Sequence, residues 1–408
     1  MKLLFLSLLF EKEEEENLLK ESKIGLQGAP NAFQWALVEG LDKNLESSIQ
    51  LLNSLPIGTY PHNFKRLFIP SKHWQHCQGA EDINIGFVNL IGLKQCIRER
   101  RYIREIKKWI NRNNSDNLYI LTYDLYLPYL KALTTIKKKY PNIITCAVVT
   151  DLPNEFGFNK EDKGIFKYIR KRMGEKELIL VNSIDKFVLL TDQMKYPLKI
   201  GNKPYVVIEG IINEDKINLI EYKNRNNSDK RNIVLYTGTL NKTFGIERLL
   251  TAFSQINKPN YYLWICGNGD MKDEIVEMAK MNPNVKYFGY VAHDEALRLQ
   301  KKATILINPR TNDGVYTRYS FPSKTLEYLA SGTPLVAYKL DGIPDEYDDF
   351  IYYVSSSSVE ALKDKIIEVC EKDDTARMEF GKRAQEFVLQ EKGDKLQASK
   401  IIELLQNF

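Results

Sequence analysis

Between Arg310 and Val336 the sequence RTNDGVYTRYSFPSKTLEYLASGTPLV sets cationic, acidic and hydroxyl side chains just ahead of a helix that ends at Gly332. Ser320 is placed to cap that helix, Pro322 suits its first turn, where no amide hydrogen bond is lost, and Gly332 can take the positive φ of a helix C-cap. The pattern predicts a helix over residues 321–331 and a short buried strand over 334–338. Unpaired amides at the helix start carry a partial positive charge that favours phosphate, and Arg310 and Lys324 add full charges nearby. Glu327 follows one turn after Ser323, where a carboxylate can accept hydrogen bonds from vicinal sugar hydroxyls. This set of groups suits an anionic ligand that also bears hydroxyls.

Three upstream segments add strand-and-turn signatures: IVLYTGTLNKTFGIERLLTAF (233–253), LWICGNG (263–269) and VKYFGYV (285–291). With them, the 310–336 segment resembles the donor-binding motif of retaining glycosyltransferases of family 4. The resemblance is strong over residues 233–354 and weak elsewhere. It implies the GT-B fold, an α/β architecture of two Rossmann-like, doubly wound domains facing across a cleft. The implied division is 1–212 for the acceptor, 213–385 for the nucleotide sugar, and a last helix, 386–408, returning to the first domain. The implied donor site takes Gly28, Gly238, Thr239, Tyr290, Asn312, Asp313, Tyr319, Ser320, Ser323, Thr325 and Glu327. Lys242, Arg310 and Lys324 would neutralise the departing diphosphate, and Asp151 would align an acceptor hydroxyl or receive its proton. A helix-capping role for Asp151 stays open, as does weaker candidacy for Tyr123-Asp124, at the end of the preceding strand. Four places depart from the family pattern: Thr239 stands for an arginine, Phe244 for a lysine and Tyr319 for the first of two glutamates, and the Asp151 region lacks the histidine that many members have.

The elements that position these residues alternate along the chain, which argues for parallel sheets covered on both faces. Expected strands of the first half are 3–9, 83–89, 119–122, 144–149, 187–190 and 205–208. A glycine-bearing turn, 25–31, leads into a helix over 31–41, and the polar stretch 221–231 has a linker's composition.

Length and composition limit the alternatives. A chain of 408 residues with 43% hydrophobic content exceeds one ordinary core. Five cysteines (77, 96, 146, 266 and 370) without paired spacing read as packed thiols in a reducing cytoplasm. His73, His76 and Cys77 lack further zinc ligands in sequence and read as a surface loop. No metal or bound cofactor is expected. Net charge is only +5, but cations crowd the helix from Lys94 to Arg112, whose Ile103, Ile106 and Ile110 mark the core side. Lys163, Lys167, Arg170, Lys171 and Arg172 form a second cluster. Both read as solvated faces, with an anionic membrane surface bearing a lipid-linked acceptor as the sharper alternative, at the inner face of the cell membrane; nucleic acid is not expected. The expected activity is sugar transfer from a UDP-linked donor to a saccharide or lipid-linked saccharide in surface polysaccharide synthesis. The rivals are a non-catalytic nucleotide-binding partner subunit and a dinucleotide-dependent oxidoreductase. The latter suffers because Gly267-Asn268-Gly269 lacks the third glycine of a dinucleotide turn.

Overall fold

The computed structural model describes residues 1–113, 117–153, 165–218 and 231–407. The chain divides into two compact units, Met1–Ile211 with Asp394–Phe408, and Ile212–Gly393. Most of the expected linker, 221–230, lies outside the described residues.

The first unit runs β1 (Lys2–Ser7), α1 (Glu15–Glu21), α2 (Gly28–Asn44), β2 (Gln50–Asn53), β3 (Phe68–Ile69), β4 (Lys72–Trp74), β5 (Asp82–Asn84), β6 (Phe87–Val88), α3 (Leu93–Arg112) and β7 (Leu118–Tyr123). It continues α4 (Leu127–Lys139), β8 (Ile144–Val149), α5 (Ile165–Leu180), β9 (Lys186–Leu189), α6 (Lys195–Leu198) and β10 (Tyr205–Val207). Its sheet has the order β10-β9-β8-β7-β1-β2-β5-β4, parallel except at β4. Strand order therefore reverses between β1 and β7. Central strands such as β7 and β9 are buried along their whole length because both sheet faces are covered, which explains their nearly unbroken apolar runs.

The second unit runs α7 (Glu214–Asn218), β11 (Asn232–Thr237), α8 (Ile246–Ser254), β12 (Tyr261–Cys266), α9 (Lys272–Met281), β13 (Val285–Tyr287), α10 (His293–Lys302), β14 (Ile305–Asn308) and α11 (Ser323–Ala330). Then come β15 (Leu335–Ala337), β16 (Tyr352–Tyr353), α12 (Val359–Cys370) and α13 (Asp374–Lys392). All its strands are parallel, in the order β13-β12-β11-β14-β15-β16, and the order reverses between β11 and β14.

The last helix, α14 (Asp394–Gln406), belongs to the first unit and packs on α2. Lys43 pairs with the buried Asp394 at 2.8 Å, and Asn44 Nδ2 donates to the Lys395 carbonyl. Lys186 donates to the carbonyls of Leu404, Leu405 and Asn407, so a cation meets the negative end of the helix dipole. At the crossing, Gly40 lets the backbones touch: a Cβ there would lie 2.3 Å from the Asp394 carbonyl oxygen.

Several expectations change. The strand expected over 3–9 stops at Ser7. The strand expected over 83–89 is two strands: β5 joins the large sheet, and β6 pairs antiparallel with β3. The break falls at Gly86, where the Ser71 backbone passes 2.6 Å from a Cβ position. Strand β2 escapes the sequence pattern because its apolar core is only Leu51-Leu52; pairing with β1 and β5 makes it a strand. On α3 the cations are not all solvated. Lys94 and Arg98 are buried beside Tyr102, Ile106, Trp109 and Ile110, whereas Ile103 is half-buried. Lys94 donates to the Ile57 carbonyl; Arg98 donates to the Leu55 carbonyl and Tyr126 Oη and stacks 4.0 Å over Phe87.

Alanine in place of glycine within a helix usually gains up to about 1 kcal/mol. At Gly40 the sign should reverse. We expect Gly40→Ala to lower stability by roughly 1–3 kcal/mol through forced separation of α2 and α14, read from urea unfolding.

Candidate functional site at the carboxyl edges of the two sheets

In open α/β sheets ligands gather outside the carboxyl ends of strands where their order reverses. In the second unit that place lies between Thr237, ending β11, and Asn308, ending β14. The turn after β11 is fixed by its neighbours: Gly238 N donates to Cys266 O, and Leu240 N to Asn268 O, both at 3.0 Å. The next turn, Lys242 to Phe244, ends at Gly245 with φ +82°, where a Cβ would lie 2.1 Å from the Pro309 carbonyl oxygen. Only glycine allows that approach, and it brings the turn against the segment that carries Arg310.

Arg310 is 9% exposed. Its guanidinium lies 4.8 Å from the Tyr316 ring centroid and 5.5 Å from that of Phe244, and it donates to Ser320 Oγ at 3.3 Å. No carboxylate among the described residues pairs with it, and its buried Nε has no hydrogen-bond partner. Burial pulls its pKa below the ordinary arginine value against the opposing pull of Tyr316 and Tyr236.

Helix α11 starts later than expected, at Ser323, with Pro322 as its N-cap residue. Ser320 does not cap it: its hydroxyl donates to the Tyr316 carbonyl and accepts from Arg310, so a serine placed for one contact serves another. Gly332 does take positive φ, +75°. Ser323 is exposed, while Thr325 is fully buried, its hydroxyl without a hydrogen-bond partner among the described residues.

Glu327 is the hub of a network that the sequence did not reveal. Its Oε1 accepts from Lys324 Nζ at 3.0 Å and from Gln300 Nε2 at 2.6 Å, and His293 Nδ1 stands 3.8 Å from Oε2. Burial alone would raise its pKa, but Lys324, His293 and the Gln300 hydrogen bond together hold it low. Gln300 also donates to Thr237 Oγ1 at 3.1 Å. Tyr328 Oη accepts from Thr237 N at 2.8 Å and donates to Thr237 O at 2.9 Å, locking α11 to the end of β11. Spacing alone cannot find Gln300, which lies on α10, or the alternate face of α11 that Tyr328 uses.

The other expected donor residues are scattered around this core. Thr239 is exposed, with its carbonyl accepting from Tyr236 Oη, and Tyr290 is 67% exposed. Lys242 pairs with Glu247 at the surface, an arrangement worth little and easily released. Asn312 donates to Asp341, which also pairs with Arg318 at 2.8 Å, and Asp313 accepts from Thr311. Tyr319 is half-buried at the end of the 315–319 turn.

In the first unit the reversal lies between β1 and β7. Gly28 opens α2, with open space around a Cβ position. Asn31 and Gln34 of that helix accept from Phe10 N and Leu8 N, so α2 is tied to the loop after β1. Asp124, after β7, holds φ +65° and accepts from Leu125 N at 2.8 Å. Burial first, then the nearby Asp151 and Glu177 carboxylates, push its pKa up to about 7, and burial raises Glu177 to about 7 as well. Asp151 is exposed by area, yet the surrounding protein still raises its carboxyl above the usual range. Because its tip meets water, that rise carries little stability. Of the second basic cluster, Lys163 and the side chains of Lys167, Arg170 and Lys171 lie outside the described residues; Arg172 is exposed and bonds Tyr168 Oη. No described helix is long and apolar enough to cross a membrane.

His76 is not a surface-loop histidine. Its Nδ1 lies 2.6 Å from the buried Asp82 and its Nε2 2.8 Å from Asp42. Burial opposes the charge, but the two carboxylates overcome it and raise its pKa to about 10.

These arrangements can be set beside known proteins. Residues 220–387 match the family model "Glycosyl transferases group 1". A sucrose-phosphate synthase from Thermosynechococcus elongatus is similar in structure, with a TM-score of 0.69 and 15% identity over 99% of this chain and 98% of its own. An alpha,alpha-trehalose-phosphate synthase (UDP-forming) from Burkholderia xenovorans, in complex with glucose-6-phosphate, gives 0.68 and 9% over 100% of both chains. S. aureus TarM, in complex with UDP, gives 0.53 and 14% over 79% of this chain and 60% of its own. No curated protein matches the sequence. At these identities the structural likeness establishes architecture: the two Rossmann-like units are those of the GT-B fold.

Two measurements test this geometry. Tyr328→Phe strands both polar groups of Thr237, and we expect a loss of roughly 1–3 kcal/mol in urea unfolding. Asp124 has a folded pKa raised above its unfolded value, so any stability linked to its protonation is present at acid pH and lost as pH rises toward 7. Asp124→Asn, which tolerates the left-handed backbone, should therefore gain roughly 1–3 kcal/mol at pH 8 and nothing at pH 4. An equal effect at both pH values would refute the linkage.

Proposed function

We propose that the protein is a GT-B glycosyltransferase that moves a sugar from a nucleotide diphosphate donor to a saccharide or lipid-linked saccharide. The observation that carries this reading is Arg310, a buried guanidinium without a carboxylate partner among the described residues, at the strand-order reversal of the second unit. A buried cation in that state favours an arriving anion, and a diphosphate leaving group gains negative charge as the bond to the sugar breaks. Lys242 can leave its weak surface pair with Glu247 to join it, and the start of α11 adds its amides and Lys324. The backbone at Gly238 and Thr239, together with Ser320 and Ser323, lines the same edge.

Glu327 is the group for ribose hydroxyls, with Oε1 held by Gln300 and Lys324 and Oε2 accepting from Lys324 at 3.2 Å. Asn312, Asp313 and Tyr319 are assigned to the donor sugar, and Tyr290 to the base. The UDP-forming and UDP-bound neighbours favour UDP as the nucleotide. The acceptor is assigned to the first unit, at Asp151, while Gly28 keeps the donor-binding role that the resemblance implies. There the acceptor hydroxyl forms the new bond to the sugar and gives up its proton, with Asp151 as receiver. Retention of anomeric configuration, a place in surface polysaccharide synthesis at the inner face of the membrane, and attraction of Arg172 and its basic neighbours to anionic lipid complete the reading. It requires no cofactor beyond the donor.

The decisive comparison is thermal unfolding with UDP, UDP-sugars and other nucleotides, for wild type and Arg310→Met. We expect UDP or one of its sugars to raise the midpoint in wild type and not in the variant, because selective binding raises apparent stability. Transfer or donor hydrolysis should fall at least about a hundredfold in the variant. Equal stabilisation of both proteins would remove Arg310 from the site.

A further inference from the structure

In the first unit Asp42, His76 and Cys77 offer ligand atoms that lie within 4.8 Å of one another. Sequence brings His76 and Cys77 together; only the fold adds Asp42, from the last turns of α2. We infer that these three residues form a binding site for a zinc-type divalent cation, joining α2 to the loop between β4 and β5.

The donor set is the first support. A carboxylate oxygen, an imidazole nitrogen and a thiolate suit a borderline cation such as Zn2+ and disfavour Mg2+ or Ca2+, which take oxygen ligands. Spacing is the second. His76 Nε2 stands 2.8 Å from Asp42 Oδ2, and Cys77 Sγ stands 3.8 Å from the same oxygen, separations a tetrahedral ion spans after small side-chain rotations. The surrounding shell is the third. Asp82, fully buried, accepts from Leu51 N and His76 N and holds His76 Nδ1 at 2.6 Å, so Nε2 must point to Asp42. A carboxylate behind a histidine is the usual support of a zinc ligand. On the other side, Asp42 Oδ1 accepts from Ile49 N, which leaves Oδ2 toward the site. Ser48 Oγ, 3.2 Å from Cys77 Sγ, or a water supplies the fourth position. Asp42 and Cys77 are only partly buried, so an ion has a way in.

Binding exchanges protons for metal. His76 loses the proton on Nε2 and Cys77 its thiol proton, while Asp82 keeps the Nδ1 hydrogen bond. Without metal the imidazolium between two aspartates takes the ion's place, which keeps the apo site charge-compensated.

The test uses the full chain without a metal-binding tag. Co2+ is titrated into metal-free protein at pH 8, followed by absorption, and unfolding is measured with and without Zn2+. We expect one equivalent of Co2+ to give a thiolate-to-cobalt charge-transfer band that Zn2+ abolishes, and Zn2+ to raise the unfolding midpoint. Cys77→Ser should remove the band while the fold persists, and Asp82→Asn should keep the band but weaken binding about 10–100-fold. Should Asp82→Asn fail to fold, Cys77→Ser alone decides. Absence of a band in wild type, a band that survives Cys77→Ser, or no effect of Zn2+ on unfolding would each overturn the site. None of these outcomes depends on the donor site, which lies in the other unit.

Discussion

Taking a guanidinium out of water costs several kcal/mol unless something replaces the water, at about 20 kcal/mol in the idealised limit. Arg310 meets that cost with two aromatic rings, a side-chain hydrogen bond with Tyr316 and one serine hydroxyl, which return only part of it. The surrounding backbone is arranged to keep it there. Gly245 gives up a side chain so that the 242–244 turn can press on Pro309, and the 315–319 turn folds over so that Tyr316 covers the other face. A folded chain that leaves one cation so poorly compensated stores an attraction for anions at that point.

The second feature of the site is orientation. Glu327 would swing freely as a lone helix carboxylate, but three groups from two helices hold it, and Gln300 passes the constraint on to Thr237. Tyr328, on the adjacent face of α11, closes the circuit through both backbone groups of Thr237. Helix and strand end therefore move as one body. On the proposed reading, a ligand at the start of α11 would meet a carboxylate whose direction is set before it arrives, which lowers the ordering cost of binding.

The sequence was most legible where one local rule decided the outcome. The strand residues 233–237, the positive φ of Gly332 and the helix after Pro322 follow from apolar runs and backbone chemistry. It misled where a residue had two possible partners. Ser320 looks like a cap but bonds Arg310, because Pro322 takes the capping position and the tertiary contact wins. It was silent where the decisive partner is remote: Asp42 is 34 residues from His76, and Gln300 is 27 from Glu327. Likewise the strand Gln50–Asn53 owes its conformation to neighbours on both sides rather than to its own pattern.

The buried cations show how differently one chain can treat the same charge. Arg98 and Lys94 donate to the carbonyls of Leu55 and Ile57, the first of which also accepts from Ile57 N, so these two cations hold one loop in place. His76 sits between two aspartates, a full compensation that pins α2 to β5. Lys186 closes the end of a helix. In each case the charge answers a charged or backbone group of the fold. Arg310 has no such charged or backbone partner among the described residues: its contacts are the Phe244 and Tyr316 rings, a side-chain hydrogen bond with Tyr316, and a serine hydroxyl that already has the Tyr316 carbonyl. On the proposed reading, a charge so little compensated by the fold, at the carboxyl edge of a doubly wound sheet, awaits an anionic ligand.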